Sequence, residues 1–105
     1  MICVTALYRN TEGKHFDFDY YVNTHMPLAK ERLSEFGLQK VEVLKGSEAP
    51  DGGPAPYVCI GLVEFSSLEG LKQGLEEHME ELLADVPNYT NIEPEIQINE
   101  VVATV

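Results

Sequence analysis

Residues 38–65 have the sequence LQKVEVLKGSEAPDGGPAPYVCIGLVEF, which contains two strand patterns with no helix between them. The first pattern, residues 38–46, alternates apolar and charged positions, as a half-buried strand does. Residues 46–56 are rich in glycine and proline and predict a surface loop. Residues 57–65 are apolar at both parities, which is typical of a strand covered on both faces. Two consecutive strands are therefore expected at the centre of the chain.

A strand and a helix are predicted before this central pair. Residues 2–8, ICVTALY, are β-rich and again apolar at both parities. Asp17 is the expected N-cap of the helix, and Gly37 is its expected end because glycine tolerates a left-handed conformation. Between them, apolar positions recur every three or four residues and predict a buried helix face. The members of this stripe are Phe18, Val22, His25, Ala29, Leu33 and Phe36.

A second helix and a last strand are predicted after the central pair. Ser66 and Glu69 have the spacing of a capping box, and Pro87 ends the helix that they begin. Residues 92–105 alternate as a strand. The order β-α-β-β-α-β predicts an α+β fold of the ferredoxin-like type, as one domain over residues 1–105. It has a four-stranded antiparallel sheet with two helices on one face.

The two strands that are apolar at both parities also predict a homodimer. Two helices cover only one face of a four-stranded sheet. Cys3 and Leu7 alternate with Val4 and Ala6, so one apolar face would remain in water. At roughly 25 cal/mol per Å² of apolar area, that exposure costs several kcal/mol, and packing two copies sheet to sheet removes it. The alternative is that the outer face tolerates exposed apolar residues.

Composition excludes several classes of partner. The chain of 105 residues has a net charge of −11, from 18 acidic and 7 basic residues. This charge repels phosphate backbones and anionic lipid headgroups, so neither nucleic acid nor membrane is an expected partner.

No secretory leader pattern or spanning apolar run is found, and a cytoplasmic location is expected. Cys3 and Cys59 lack CxxC spacing and are expected as free, buried thiols.

His25 is the candidate catalytic residue. Its place in the apolar stripe directs it toward the sheet, and Pro27 lacks the amide hydrogen that a helix needs. A kink is therefore predicted at residues 24–26, with Met26 displaced from helical angles. An imidazole that titrates near neutral pH suits acid–base catalysis, although a core histidine satisfied by the protein is the alternative. Tyr21, one turn earlier, either donates to a substrate or fills the core.

No metal or cofactor is expected from the motifs. The segment LEEHMEELLAD has Leu75 three residues before His78, where a two-metal carboxylate site would need glutamate. A solvated acidic helix face explains this segment better. Phosphate-binding glycine loops, nucleophile elbows and paired Cys/His motifs are not found in the sequence.

Three motifs resemble those of the EthD family, named for ethyl tert-butyl ether degradation. They are DFDYY at residues 17–21, HMPL at residues 25–28 and PNYTN at residues 87–91. The resemblance extends over nearly the whole chain. It implies a small bacterial protein of the dimeric α+β barrel superfamily, with a cavity between helices and sheet and His25 at that cavity. EthD proteins are associated with cytochrome P450 ether-degradation systems.

Substrate-binding candidates lie at two chain segments that are expected to meet. Tyr8 and Arg9 end the first strand, and Asn88 and Tyr89 lie in the PNYTN turn. Tyr8 and Tyr89 are expected to line one mouth of the cavity. The family often has proline where this chain has Arg9, which pairs either with an anionic ligand or with nearby acids.

The leading functional hypothesis is a cofactor-free enzyme or ligand handler for a small hydrophobic or phenolic compound. His25 would act as acid or base, with Tyr21 and Tyr89 as hydrogen-bond donors, in an isomerisation, cyclisation or monooxygenase-like reaction. One alternative is a non-catalytic accessory or binding protein of an oxygenase system for ether degradation. A further alternative is a haem-binding protein with His25 as the axial ligand.

Overall fold

A computed structural model describes residues 1–105 and contains four strands and three α-helical segments. The strands are β1 (Ile2–Arg9), β2 (Leu38–Lys45), β3 (Tyr57–Phe65) and β4 (Glu95–Glu100). The α-helices are α1 (Phe18–Tyr20), α2 (Met26–Leu33) and α3 (Leu68–Ala84). A π-helical turn, Tyr21–His25, joins α1 to α2, and short 3-10 turns cover Ser34–Phe36 and Val86–Asn88. The first helical region is therefore continuous from α1 to Phe36, and the predicted order β-α-β-β-α-β is confirmed.

The strands form one antiparallel sheet in the order β2-β3-β1-β4. The two strands that the sequence predicts to be covered on both faces, β1 and β3, are its central pair. Their register places Val4 opposite Val63 and Ala6 opposite Gly61 on the side of the helices. Leu7 lies opposite Ile60 on the outer side. The predicted ferredoxin-like arrangement, with helices on one face, is confirmed.

Two clusters of buried side chains fill the space between sheet and helices. The first consists of Val4, Ala29, Leu33, Phe65, Leu71 and Leu82. The second consists of Tyr8, Tyr21, Met26, Cys59, Tyr89 and Ile92. The first cluster is mainly aliphatic, whereas the second contains three tyrosines, so polar hydroxyl groups are concentrated in one half of the core.

Pro27 is accommodated by the wide turn that precedes it. The amide of Met26 donates to the carbonyl of Tyr21, five residues earlier, instead of four as in an α-helix. The predicted irregularity is therefore present, and it begins at Tyr21. The displacement expected for Met26 is wrong, because this residue keeps helical angles of φ −67° and ψ −38°. The π-turn changes the hydrogen-bonding pattern ahead of the proline, and Pro27 then lies at the start of α2.

Because of the wide turn, the buried face of the first helical region differs from the predicted one. Val22 was expected in the apolar stripe but is 47% exposed, whereas Tyr21 is 1% exposed. A regular helix rotates by about 100° per residue. One extra residue in the turn shifts everything before it by about one position relative to His25 and the residues that follow. Tyr21 thereby replaces Val22 on the side of the sheet.

The helices begin and end where side-chain and backbone chemistry predicts, except that the predicted capping residue of α3 is wrong. Asp17 caps α1 by accepting from the amide of Tyr20, and Gly37 ends the first helical region with φ 90°. The capping residue of α3 is Ser67, not Ser66, because Ser67 has the extended backbone and accepts from Gly70. Ser66 instead donates its amide to the carbonyl of Gly37.

Gly70 marks a close approach of α3 to the first helical region, and Gly70→Ala is expected to destabilise the protein. A Cβ at this position would overlap the carbonyl oxygen of Phe36. Helix propensity alone predicts a gain of about 1 kcal/mol for alanine, whereas this overlap predicts a loss of about 1–3 kcal/mol. Urea unfolding measures the difference, with exposed Gln73→Ala as the control on the same helix. A stabilised Gly70→Ala variant would contradict the close approach.

Both cysteines are free, and they lie on opposite faces of the sheet. Cys59 is fully buried beside the tyrosines, and this burial raises the pKa of its thiol to about 12. Cys3 is only half-buried on the outer face, so its predicted burial holds in part.

No helix in the structure combines the length and the apolar character needed to cross a lipid bilayer.

Candidate functional site

The centre of the candidate site is a hydrogen-bonded pair of His25 and Asp85. His25 is the last residue of the π-turn and is 8% exposed. Asp85 is the C-cap of α3. Nδ1 of His25 lies 2.9 Å from Oδ2 of Asp85, so the ring donates this hydrogen to the carboxylate. The pair connects the first helical region to the end of α3.

Two further donors hold the Asp85 carboxylate. The hydroxyl of Tyr20 donates to Oδ1 over 2.7 Å, and the side-chain amide of Asn88 donates to the same oxygen over 2.9 Å. Burial alone would favour the neutral acid. The hydrogen bonds from Asn88, Tyr20 and His25 outweigh burial and hold the pKa of Asp85 below its usual value. Asp85 is therefore ionised and accepts the hydrogen on Nδ1 of His25.

The stability lost in an Asp85→Asn variant is expected to depend on pH. Because the pKa of Asp85 is lowered in the folded state, its contribution is complete above the unfolded value of about 3.9 and is lost as pH falls through the folded value. We expect wild type to exceed Asp85→Asn by about 1–2 kcal/mol at pH 5, and this gap to close toward pH 2. Urea titrations measure it, with exposed Glu80→Gln as the matched control. A gap independent of pH would contradict the ionised network.

Three buried tyrosines surround the imidazole. Tyr8, Tyr21 and Tyr89 are 2%, 1% and 1% exposed. The Tyr21 ring stacks on His25 with centroids 5.4 Å apart and an angle of 12°, and the Tyr89 ring lies 4.7 Å from His25 at 54°. The hydroxyl groups of Tyr8 and Tyr89 are 2.7 Å apart and share a hydrogen bond. Burial raises the pKa of all three phenols, so they are neutral donors at physiological pH.

A small apolar cavity of about 90 Å³ lies between the sheet and α3, where the two core clusters meet. It is lined by 19 residues, of which 17 are hydrophobic, and the other two are His25 and Pro94. Leu83 and Ile96 line it as well and are 44% and 41% exposed, so the cavity has a mouth between α3 and β4. Its volume is below the roughly 150 Å³ of a dry engineered cavity that binds benzene.

The second ring nitrogen of His25 is available to a bound molecule. Nδ1 is committed to Asp85, and Nε2 has no hydrogen-bond partner in the protein. No buried side-chain nitrogen or oxygen lacks a partner, so Nε2 is accessible rather than sealed. In this tautomer Nε2 carries a lone pair. A neutral imidazole with a carboxylate behind it can therefore accept a proton at the cavity wall.

The predicted site residues separate into two groups. His25, Tyr21, Tyr8 and Tyr89 all line the cavity, with Tyr8 and Tyr89 as buried walls rather than at the mouth. Arg9 does not line it. Its exposed guanidinium forms an ion pair with Glu95 on the surface, which is the second of the two pairings considered above.

Asn88, the remaining predicted residue, is linked to the cavity only through Asp85 and His25. It is exposed and does not line the cavity, and it donates its side-chain amide to Asp85. Asn88 therefore belongs to the network that orients His25.

Asp85 and Tyr20 are the residues that sequence reasoning missed. Asp85 belongs to the segment LEEHMEELLAD, for which the sequence predicts a solvated acidic helix face, and helical spacing turns Tyr20 away from His25. One signal was available for Asp85, because a carboxylate at a helix C-terminus opposes the helix dipole and needs a compensating donor. Nothing in the sequence identifies that donor, since His25 lies 60 residues away.

One group of potential metal ligands lies where α3 meets the 3-10 turn Ser34–Phe36, and it consists of Glu35, Glu77 and His78, whose side-chain ligand atoms lie within 4.8 Å of one another. Both glutamates are exposed, and His78 lies 3.8 Å from Glu77 and from Glu81. Surface carboxylates around a histidine are expected on a solvated helix face, as the sequence predicts.

Comparison with known structures identifies the family. Over 97% of its length, the chain matches the crystal structure of an EthD-like protein from Ralstonia eutropha JMP134, with 37% identity and a TM-score of 0.89, and it covers 92% of that chain. The chain belongs to the EthD family. The resemblance found in the sequence motifs is therefore confirmed.

Two more distant structures share the fold of this EthD-family protein. An ethyl tert-butyl ether degradation (EthD) family protein from Bacillus halodurans C-125 is 22% identical with a TM-score of 0.69, covering 97% of this chain and 99% of that one. A dimeric ferredoxin-like protein from an uncultured marine organism is 16% identical with a TM-score of 0.58, covering 99% and 96%. No protein-family model matches the sequence, and no curated protein matches it.

Proposed function

We propose that this EthD-family protein binds a small hydrophobic organic molecule in the cavity under α3 and transfers a proton to or from it through His25. The observation that carries the proposal is the 2.9 Å contact of His25 Nδ1 with the Asp85 carboxylate at the wall of an otherwise apolar cavity. A carboxylate behind Nδ1 fixes the tautomer and stabilises the imidazolium that forms when Nε2 takes a proton.

The reaction class that needs only these groups is proton abstraction next to a carbonyl. Nε2 of His25 takes the proton, the C–H electron pair moves toward the carbonyl, and the carbonyl oxygen becomes an enolate. A phenol of the Tyr8–Tyr89 pair donates a hydrogen bond to that oxygen. The imidazolium then returns the proton to the same or another carbon atom. The overall change is exchange or isomerisation, with no gain or loss of electrons.

Hydrogen–deuterium exchange tests this proposal without knowledge of the natural substrate. The probe is 3-methyl-2-butanone in D₂O, and ¹H NMR follows loss of the signals of the hydrogens next to its carbonyl group. We expect protein-dependent exchange that saturates with ketone concentration. Native mass spectrometry of protein purified from its own host adds the mass of any retained molecule. Absence of protein-dependent exchange with this ketone and with the retained molecule would overturn proton transfer.

A non-catalytic binding role, as an accessory protein of an oxygenase system, is the second candidate. The 17 hydrophobic residues among the 19 lining the cavity favour it, because binding of an apolar compound needs no acid or base. Retention of a ligand with no exchange would support it. The proposal does not extend to haem, because a cavity of about 90 Å³ is far below the 300–1,000 Å³ typical of sites for much smaller ligands.

A homodimer through the outer sheet face is part of the proposal. Leu7, Ile60 and Leu62 lie side by side on this face, and Leu44, which is 45% exposed, extends the apolar patch onto β2. A dimeric ferredoxin-like protein shares the fold, which supports the same assembly here. Burying this patch against a second copy would remove apolar area that the helices leave uncovered.

Leu62→Glu is expected to convert the dimer to a monomer. Leu62 belongs to the outer patch, next to Ile60 along β3, and lies between Thr5 and Glu42 in the register. Two glutamates facing each other across a two-fold interface would bury unpaired charge, which is strongly unfavourable. Light scattering after size-exclusion chromatography measures the mass. Leu68→Glu, on an exposed position of α3, is the control and should remain dimeric. A dimeric Leu62→Glu variant would contradict this interface.

A further inference from the structure

The charges around the cavity restrict what can bind in it. No lysine or arginine is among the 19 lining residues. The one group that could become positive there is His25, and a positive charge on it would be balanced by the carboxylate of Asp85. An anionic ligand would therefore lose its hydration without gaining a counter-charge, and burying an unpaired carboxylate is expensive. The net charge of −11 opposes its approach as well.

A cationic ligand is no better accommodated. No carboxylate lines the cavity, and both oxygens of Asp85 already accept hydrogen bonds from the protein. The aromatic rings do not leave an open cage, because they pack on one another. Tyr8, for example, lies edge-on to Tyr21 and Tyr89 with centroids 5.7 Å and 6.0 Å away. The geometry offers a cation neither a charge partner nor a free ring surface.

The polar groups that remain suit one uncharged oxygen atom. The hydroxyl groups of Tyr8 and Tyr89 share one hydrogen bond, and the hydroxyl of Tyr21 is hydrogen-bonded to Tyr8, so one of the three hydroxyl hydrogens is left to donate. His25 Nε2 supplies a lone pair beside them, since the His25 and Tyr89 rings are 4.7 Å apart. The rest of the wall is apolar, with Phe65 from the sheet and Leu71 and Leu82 from α3. A second polar group on the ligand would be buried there without a partner, which is unfavourable.

We infer that the cavity selects uncharged molecules with a single oxygen atom on a compact hydrocarbon body, such as small ketones and alcohols, and rejects carboxylates of the same shape. The oxygen accepts from the Tyr8–Tyr89 pair, and the hydrocarbon body lies against Leu71 and Leu82 or extends through the mouth at Leu83. This inference rests on the proposed function, since it assigns a ligand class to the same cavity.

Four compounds of nearly the same shape test the selectivity. They are 3-methyl-2-butanone, isobutyrate, isobutylammonium and 2,3-dimethylbutane, which differ in the charge and polarity at one end. NMR titration at pH 8 follows the methyl signals of Leu71 and Leu82 and the imidazole signals of His25. We expect the ketone to bind at least tenfold more tightly than isobutyrate and isobutylammonium. Equal or tighter binding of either ion, or no binding of the ketone, would overturn the inference.

A double variant tests the source of the selectivity. Tyr8→Phe with Tyr89→Phe removes both hydroxyls and keeps both rings. We expect the ketone to lose about tenfold in affinity, while binding of 2,3-dimethylbutane is unchanged or improves. Tyr57→Phe, which does not line the cavity, is the matched control. Equal ketone affinity in the double variant and wild type would contradict the assigned hydrogen bond.

Different experimental results would overturn the inferred selectivity and the proposed proton transfer. Tight, selective ketone binding without hydrogen–deuterium exchange would contradict proton transfer alone. Exchange of the ketone together with equally tight binding of isobutyrate would contradict the selectivity alone.

Discussion

His25→Gln is expected to slow protein-dependent hydrogen–deuterium exchange of 3-methyl-2-butanone by about 10²–10⁴-fold, the usual contribution of a general acid–base group. Glutamine has nearly the same length and can still donate its amide to Asp85, but it has no basic nitrogen to replace Nε2. The packing against Tyr21 and Tyr89 is largely kept. The loss should therefore fall on proton transfer, with ketone affinity reduced much less.

The controls for this variant separate chemistry from folding. His15→Gln changes an exposed histidine that is outside the cavity and should leave exchange unchanged. Urea unfolding and the NMR spectrum establish that His25→Gln is folded. A folded variant with the full exchange rate would remove His25 from the reaction. Loss of both exchange and ketone binding would assign it to binding instead.

Leu71→Ala has the largest effect expected on stability. Leu71 is fully buried, belongs to the aliphatic cluster and lines the cavity. Truncation of a buried leucine costs about 2–5 kcal/mol, and more when the neighbouring side chains cannot collapse into the space. The space that the truncated side chain leaves would join the existing cavity. We therefore expect a value toward the upper end of this range in urea unfolding.

Leu71→Ala should also bind a small apolar ligand more tightly than wild type does. The enlarged cavity approaches the size that holds benzene, so saturating benzene is expected to recover part of the lost stability by binding only the folded state. Leu68→Ala, on an exposed turn of the same helix, is the control and should lose less than about 1 kcal/mol, with no larger response to benzene than wild type. A Leu71→Ala loss as small as that of Leu68→Ala would contradict the described packing.

The overall fold could be predicted because its signals are local. Alternation along residues 38–46 and the apolar runs of β1 and β3 each follow from one element's own neighbours. The ends at Asp17 and Gly37 follow from side-chain and backbone chemistry within one turn. The errors also have a local cause, since the periodicity that placed Val22 in the core assumes a regular helix. The width of a helical turn is decided by how Pro27 and the packing of Tyr21 are accommodated together.

The candidate site could be predicted only in part. The prediction of His25 depends on the stripe that faces the sheet, and that of Tyr21 on its place one turn before His25. Tyr8 and Tyr89 were predicted because the end of the first strand and the PNYTN turn were expected to meet. Asp85 depends on a contact between two helices that are distant in sequence, and helical periodicity gives no information on such contacts. The size of the cavity depends on how completely the side chains of α3 fill the space above the sheet, which is a property of the packed protein.

The π-turn has a consequence for comparing members of this family. It contains one residue more than an α-helical turn would, so it rotates the segment before it, which includes Tyr21 and Val22, by about one position relative to His25. A homologue with a regular helix here would need a single-residue gap in its alignment to superpose both rings. The spacing between the DFDYY and HMPL motifs is thus a countable marker of whether a relative retains this geometry.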